Sequence, residues 1–436
     1  MSYFKHYPDW TKITAALACL GLVTFARGAD TLTPKDVVLP PEEASQEALN
    51  QAVGNASLRM GGLDVFPRAS ATAMYDDNLL ISHDKALSDL VLTLTPGLTL
   101  VAGDVSTYLP GPVTLDQVRW LLSYSPEEDS NKPQRFVGVD YTPALNYFAD
   151  HDHFNNVDHT AALSMGYAFS RLSLGLDQDF TRLAEKDSDV GDRITLSTYE
   201  TRLRSRYDIN ERTSVEVNGR YFQNGYQDSR FHPYQEVRNE DWLNRQVGTW
   251  LKLSVGAAFG FVYPEISPSQ TYQQALLRGL YLVTGKLELR PSVGVEFREY
   301  GARGSDTVDP VFSLAAVYRP LETTTVTLEA HRRDQPSVDG NYNYQTLGFS
   351  TGIRQRVMER FYPGLTLGYD NADYVVLKPG VDPRSNNFFS ARVSLDYQPN
   401  PHWTAGLFYV YRRVDANISQ YTYANNMVGA QISWQF

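Results

Sequence analysis

The chain ends on Asn425-Asn426-Met427-Val428-Gly429-Ala430-Gln431-Ile432-Ser433-Trp434-Gln435-Phe436, NNMVGAQISWQF. Val428, Ala430, Ile432, Trp434 and Phe436 share one parity, and Gly429, Gln431, Ser433 and Gln435 share the other. A period of two with one apolar and one polar face is a β-strand. A strand of a membrane barrel needs this pattern, because lipid lies on one side and a wet lumen on the other. A closing aromatic ring then rests at the headgroup level. The same alternation recurs upstream, in residues 389–397, 365–369, 326–330, 287–298, 172–176 and 161–169. Residues 276–283 and 404–414 are apolar at both parities, so their faces stay unassigned.

The connections alternate too. Residues 170–171, 208–212, 319–322 and 398–402 read as short turns, and 79–89, 150–158, 183–193, 227–241 and 370–387 as longer polar loops. Short turns on one side and long loops on the other are the asymmetry of outer-membrane barrels. The expected fold is all-β: a transmembrane, antiparallel up-and-down β-barrel of about 18 strands over residues 63–436, with both termini in the periplasm. Tyr75, Tyr147, Phe169, Tyr207, Tyr300 and Trp403 fall at strand ends, as an aromatic girdle requires. Pro67, Pro96, Pro143, Pro291 and Pro363 fall inside strand-length segments, where each removes a ladder donor, so strand starts or bulges are expected there. Residues 101–134 form a long periplasmic insertion. Leu115, Val118 and Leu122 within it have the spacing of a short amphipathic helix, either a plug or docking element or an excursion without a role.

The chain has 436 residues with 28 Tyr, 20 Phe and 30 Gly. Its mean hydropathy of −0.36 would suit a soluble protein, yet alternating strands give the same value. A soluble sandwich or solenoid with buried aromatics is the competing fold. Residues 1–29 read as a signal peptide: Lys5 and Lys12 precede the apolar run 13–25, which falls short of the roughly 20 residues of a spanning helix. Cys19 is the only cysteine and sits in a poor lipidation context, so no disulfide framework is expected. Residues 30–62 read as a periplasmic N-terminal segment with a short helix near residues 42–53. The formal net charge of −11, without basic clusters, argues against a nucleic-acid partner.

Tyr75-Asp76-Asp77-Asn78, Leu94-Thr95-Pro96-Gly97-Leu98, Phe297-Arg298-Glu299-Tyr300 and the run from Glu359 to Tyr369 (ERFYPGLTLGY) resemble the beta-barrel porin 2 family across residues 63–436. The terminal Phe436, with Trp434, is similar to the assembly signal of Gram-negative outer-membrane proteins. The resemblance implies a barrel in the bacterial outer membrane, inserted by the barrel assembly machinery among lipids and lipopolysaccharide. Some members are linked to polysaccharide export, so export components are among the expected partners. The insertion at 101–134 departs from the plain strand–turn pattern.

Extending the alternation places Arg202, Arg204, Arg206, Glu216, Arg220, Glu288, Arg290, Glu296, Arg298, Glu329, His331, Arg333, Arg354, Arg392 and Asp396 on the lumen face. These residues either form a charged constriction that selects solutes or only wet the lumen and pair with each other. Arg202, Arg204 and Arg206 are the sharpest pattern, because like charges on one face repel unless acids or an anionic solute answer them. Asp150-His151-Asp152-His153 and Asp158-His159 have metal-ligand types without a fixed geometry, and no metal or other cofactor is expected. No Gly-x-Ser-x-Gly, His-Glu-x-x-His or phosphate loop occurs, and an enzyme is not expected. The expected function is a porin-like channel for small solutes, or for export of a polysaccharide, through a charged lumen. The alternative is a non-conducting barrel acting as a scaffold or a partner-gated export component.

Overall fold

The computed structural model describes residues 58–60, 62–103, 135–301, 306–338, 340–377 and 380–436. A short β1 (Leu58–Met60) pairs with the start of β2 (Leu63–Asp76). Then follow β3 (Asp89–Gly103), β4 (Arg135–Phe148), β5 (Asn156–Ala168), β6 (Leu172–Asp187), β7 (Asp192–Asn210) and β8 (Thr213–Tyr226). Next come β9 (Tyr234–Gly248), β10 (Leu251–Pro264), β11 (Gln270–Thr284), β12 (Leu287–Tyr300), β13 (Thr307–Leu321) and β14 (Thr324–Pro336). The series ends with β15 (Tyr342–Gln355), β16 (Phe361–Val376), β17 (Arg384–Asn400), β18 (Trp403–Ala416) and β19 (Tyr423–Gln435). Each strand from β2 onward pairs antiparallel with the next, and β19 returns to β2 from Gln435↔Arg68 to Met427↔Asp76. The result is a closed, up-and-down barrel of 18 strands, β2 to β19. Closure removes the sheet edges, which no membrane could satisfy.

Turns at one end are minimal, such as residues 211–212, 249–250, 285–286, 322–323 and 401–402. The loops at the other end are shorter than their polarity suggests, because polar residues there continue the strands. Residues 183–187 and 192–193 belong to β6 and β7, leaving 188–191 as the loop, and 234–241 belong to β9. Likewise β3 runs through Gly103, so the expected insertion at 101–134 starts three residues too early; residues 104–134 lie outside the described residues, as do both expected helices and the signal peptide.

The prolines sit within strands. Pro96 and Pro143 share one interruption: the β3–β4 ladder runs from Leu94↔Leu145 to Leu98↔Tyr141 with no pairs between. Two residues without N–H groups thus fall at a single gap, which spares the rest of the ladder.

A second interruption changes the shape of the barrel. The β13–β14 ladder ends at Phe312↔Arg332. Beyond it β12–β13 stay paired to Arg298↔Thr307, and β14–β15 to Pro336↔Asn343. Arg332 and Asp334 share the parity of the exposed Leu328, and Asn343 that of the exposed Phe349, but they do not face outward. Asp334 lies 3.5 Å from Arg298 Nε, Asn343 Nδ2 donates to the Tyr300 hydroxyl at 3.2 Å, and Arg332 pairs with Asp309 at 2.9 Å. The end of the β14–β15 hairpin therefore tucks inside the β12–β13 wall. Tyr300, expected in the girdle, is only 5% exposed. It shares the parity of Glu296 and Arg298 and faces the lumen.

Candidate functional site

The two faces of the wall differ as water and hydrocarbon do. Leu203, Val255, Phe259, Phe297, Phe349, Val393, Leu407 and Ile432 are all exposed on the outside, within a continuous apolar band. Monomeric soluble proteins rarely carry a patch of that extent. Tyr75, Tyr147, Tyr207, Tyr263, Tyr318 and Trp403 are exposed on the same face. This is the surface of a membrane-spanning barrel. Residues 276–283 and 404–414 resolve in the same way: Leu277, Val283, Leu407 and Tyr409 face outward, while Arg278, Phe408, Val410 and Arg412 face inward.

On the lumen face the arginines meet acids from neighbouring strands or two residues away on their own strand. Arg202 reaches Asp179 at 2.5 Å, Arg204 reaches Asp177 at 2.8 Å, and Arg206 reaches Asp208 at 2.8 Å. Arg220 lies between Glu200 at 2.8 Å and Glu236 at 2.7 Å. Glu216 receives Arg278 at 2.5 Å rather than an arginine of the ladder. Arg290 pairs with Glu288, Arg298 with Glu296 at 2.7 Å, and Arg354 with Asp396 at 3.1 Å. Glu329, His331 and Arg333 line β14, with His331 3.8 Å from Asp370. The Arg202–Arg204–Arg206 ladder is thus answered by the protein's own carboxylates. Strands facing one lumen place long cations beside short acids on the same strand and on its neighbours.

The loop-end mouth is crossed by two hairpin tips. The β6–β7 tip carries Lys186, whose Nζ bonds Asp76 at 2.6 Å and Asn425 at 3.0 Å on the wall where β19 meets β2. Beyond it, Asp189 accepts from the Ser337 hydroxyl at 2.9 Å and from the Val338 amide at 2.8 Å, both in the β14–β15 tip. Arg384 of β17 donates to the Asp189 carbonyl at 2.6 Å and the Ser188 carbonyl at 3.1 Å. Its guanidinium lies 4.2 Å from the Tyr374 ring centre and 3.5 Å from that of Tyr421. The β14–β15 tip continues across: the Val338 carbonyl accepts from the His232 amide at 3.2 Å, and the Gly340 carbonyl accepts from the Ser267 hydroxyl. Gly340 has φ +68°, and a side chain there would meet Ile266. Inward-facing Tyr342, Tyr344 and Tyr374 pack beneath, with Tyr344 1% exposed and Asp187 fully buried. The tips meet each other and both sides of the wall, so they bridge the mouth.

Sequence reasoning missed Lys186, Asp189, Ser337, Arg384 and Arg412. The first four look like ordinary loop polarity. Arg412 sits in a stretch apolar at both parities, where one arginine among apolar residues was the available signal.

The Asp–His segments do not converge. His151 Nδ1 lies 2.9 Å from Asp89, Asp158 accepts from Asn146 and Asn156 at 2.9 Å, and His159 lies 2.9 Å from the Tyr141 hydroxyl. Among the described residues no cluster of three ligand side chains could hold a metal. Phe436 donates its amide to the Pro67 carbonyl at 3.1 Å, and Trp434 lies opposite Trp403 and Ala69.

No family model matches the chain, and no curated protein matches it. Solved structures similar to it are outer-membrane proteins. OccK3 (OpdO) of Pseudomonas aeruginosa is 11% identical with a TM-score of 0.44, over 85% of this chain and 95% of that one. The outer membrane protein opdK of the same organism is 11% identical with a TM-score of 0.45, over 86% and 99%. OccAB4 of Acinetobacter baumannii is 9% identical with a TM-score of 0.46, over 88% and 100%. At such values the likeness is one of general form and carries no argument about solutes. The resemblance to the beta-barrel porin 2 family remains an expectation from sequence.

Proposed function

We propose that this protein is an outer-membrane channel for small solutes, closed at rest at its extracellular mouth by the two hairpin tips. The carrying observation is the lumen wall: arginine–carboxylate pairs line it from β6 to β12, on strands whose other face is apolar. A polar, charged interior behind a lipid-facing exterior is how a barrel carries water and solutes across a membrane. The minimal turns face the periplasm and the hairpin tips face outward. The protein contributes shape and fixed charge, with no energy source. Insertion by the assembly machinery would use the β19 end at Trp434 and Phe436, and lipopolysaccharide would surround the loop end.

The bridged mouth favours a second reading, in which a partner withdraws the tips or the barrel serves only as a scaffold. No feature of the lumen wall favours polysaccharide export over small solutes. The test is planar-bilayer recording of the folded full chain and of a variant with residues 188–191 replaced by Gly-Gly. The channel reading expects rare openings for the first and steps of fixed size for the second. Silence from both, with folding confirmed by heat-modifiable gel migration, would favour the scaffold.

A further inference from the structure

Arg392 and Arg412 differ from the ladder arginines. No carboxylate lies within ion-pair distance of either among the described residues, and neither donates a hydrogen bond there. Arg412 Nε is buried without a partner, and Arg392 has only the Phe408 ring, at 5.0 Å. They stand on adjacent strands one row apart, since Arg412 pairs with Ser390 and Arg392 with Val410. Each therefore lies in the field of the other. The acids within electrostatic range are Asp396, Asp76 and Glu185. Asp396 is held by Arg354 at 3.1 Å and Asp76 by Lys186 at 2.6 Å.

The surroundings add further donors. Ser390, between the two arginines on the same face, is 3% exposed and its hydroxyl has no partner. Next to Arg392 and Ser390 come Thr366 and Gly368, and beyond them Gly352 and Ser350. All four of these neighbours carry small side chains or none. Two like charges kept together with no carboxylate in ion-pair contact are unfavourable in the empty protein, and buried donors without acceptors cost more. One kind of occupant satisfies all of them: a group with several acceptor oxygens and negative charge.

We infer that Arg392, Arg412 and Ser390 form an oxyanion-binding site in the lumen wall beneath the hairpin tips, suited to the carboxylate or phosphate of a small solute. The site deepens the channel reading by giving passing anions a resting point. Its test needs no conduction, so a silent barrel and a failed site are told apart. Full-length barrel, shown folded by heat-modifiable migration, is dialysed to equilibrium at low ionic strength against inorganic phosphate in one arm and succinate in the other. Saturable binding is expected in at least one arm, and which arm binds identifies the group. Arg392→Gln or Arg412→Gln should weaken it about tenfold, the loss of one charge-assisted contact. Arg413→Gln, on the opposite face and paired with Asp415 at 2.9 Å, should leave it unchanged.

Urea unfolding supplies a second readout. Arg412→Gln should match or exceed the wild-type midpoint without anion and lose the rise that anion gives the wild type. Absence of saturable binding in both arms, or equal binding by the Arg392→Gln/Arg412→Gln double variant, overturns the site.

Discussion

Arg204 shows what a lumen charge does when its partner is fixed. Its Nε lies 2.8 Å from Asp177, which is 2% exposed and also accepts from Ser164 at 2.5 Å. Arg204→Gln would leave that carboxylate buried without its arginine, at a cost of about 3 kcal/mol. Arg204→Gln with Asp177→Asn should recover most of the loss, and urea titration of the four members of the cycle measures the coupling. A second residue, Asp77, links the closing strands from the loop side. It accepts from Asn425 at 3.0 Å and from the Asn426 amide and side chain at 2.6 Å each. Burial pushes the Asp77 carboxyl up, but these hydrogen bonds outweigh it and hold the group below its ordinary value. A lowered folded value means the stability is present above the ordinary carboxylate range and fades as pH falls through the lowered value. Asp77→Ala should therefore unfold at lower urea than wild type at neutral pH, and the two midpoints should converge in strong acid. Parity put Arg202, Arg204 and Arg206 on one face of one strand, but it gave no sign that Arg332, Asp334 and Asn343 turn inward against it. Which acid answers which arginine was not legible, because register between strands is set by turns and closure rather than by either strand alone.

At the scale of elements, strand number and direction follow from alternation and from two-residue turns. Loop length was misread because polarity marks where lipid ends, and strands continue past that level. The inward lean of β14–β15 was illegible for a related reason. Arg332, Asp334 and Asn343 keep the outward parity of their strands, and only the ladder break after Phe312↔Arg332 lets that face turn onto Glu296, Arg298 and Tyr300. The tips that this lean brings together depend on a few contacts, with Asp189 at their centre. Asp189→Ala removes the acceptor of Ser337 and Val338, and Arg384→Ala removes the clamp over Ser188 and Asp189. Each should raise the open probability of single channels several-fold, a population shift of about 1 kcal/mol. Step size should stay that of the tip-deleted barrel, since the wall is untouched. Unchanged gating in both variants would remove the tips from the role of gate.

The whole molecule is one sheet closed on itself, so faces are defined for every strand at once. Leu407 and Gln431 test that property together. Gly406 pairs with Gln431, and Leu407, the next residue of β18, pairs with Ala430 on β19. Leu407 is 61% exposed on the apolar face. Gln431 points into the lumen, close to the side of Gly406 that faces Asp396. The two positions are one row apart in depth and opposite in surroundings. An arginine at Leu407 enters hydrocarbon near the middle of the band and should cost about 2–4 kcal/mol. An arginine at Gln431 enters a lumen already lined with charge, beside a carboxylate, and should cost less than about 1 kcal/mol. Urea titration in lipid vesicles, read by heat-modifiable migration, compares the two. A soluble sandwich predicts the reverse, because there the face now inside the barrel would be the dry core and the face of Leu407 would meet water. Equal tolerance at both positions would contradict a barrel with lipid outside and water within, and a larger loss at Gln431 would invert its faces.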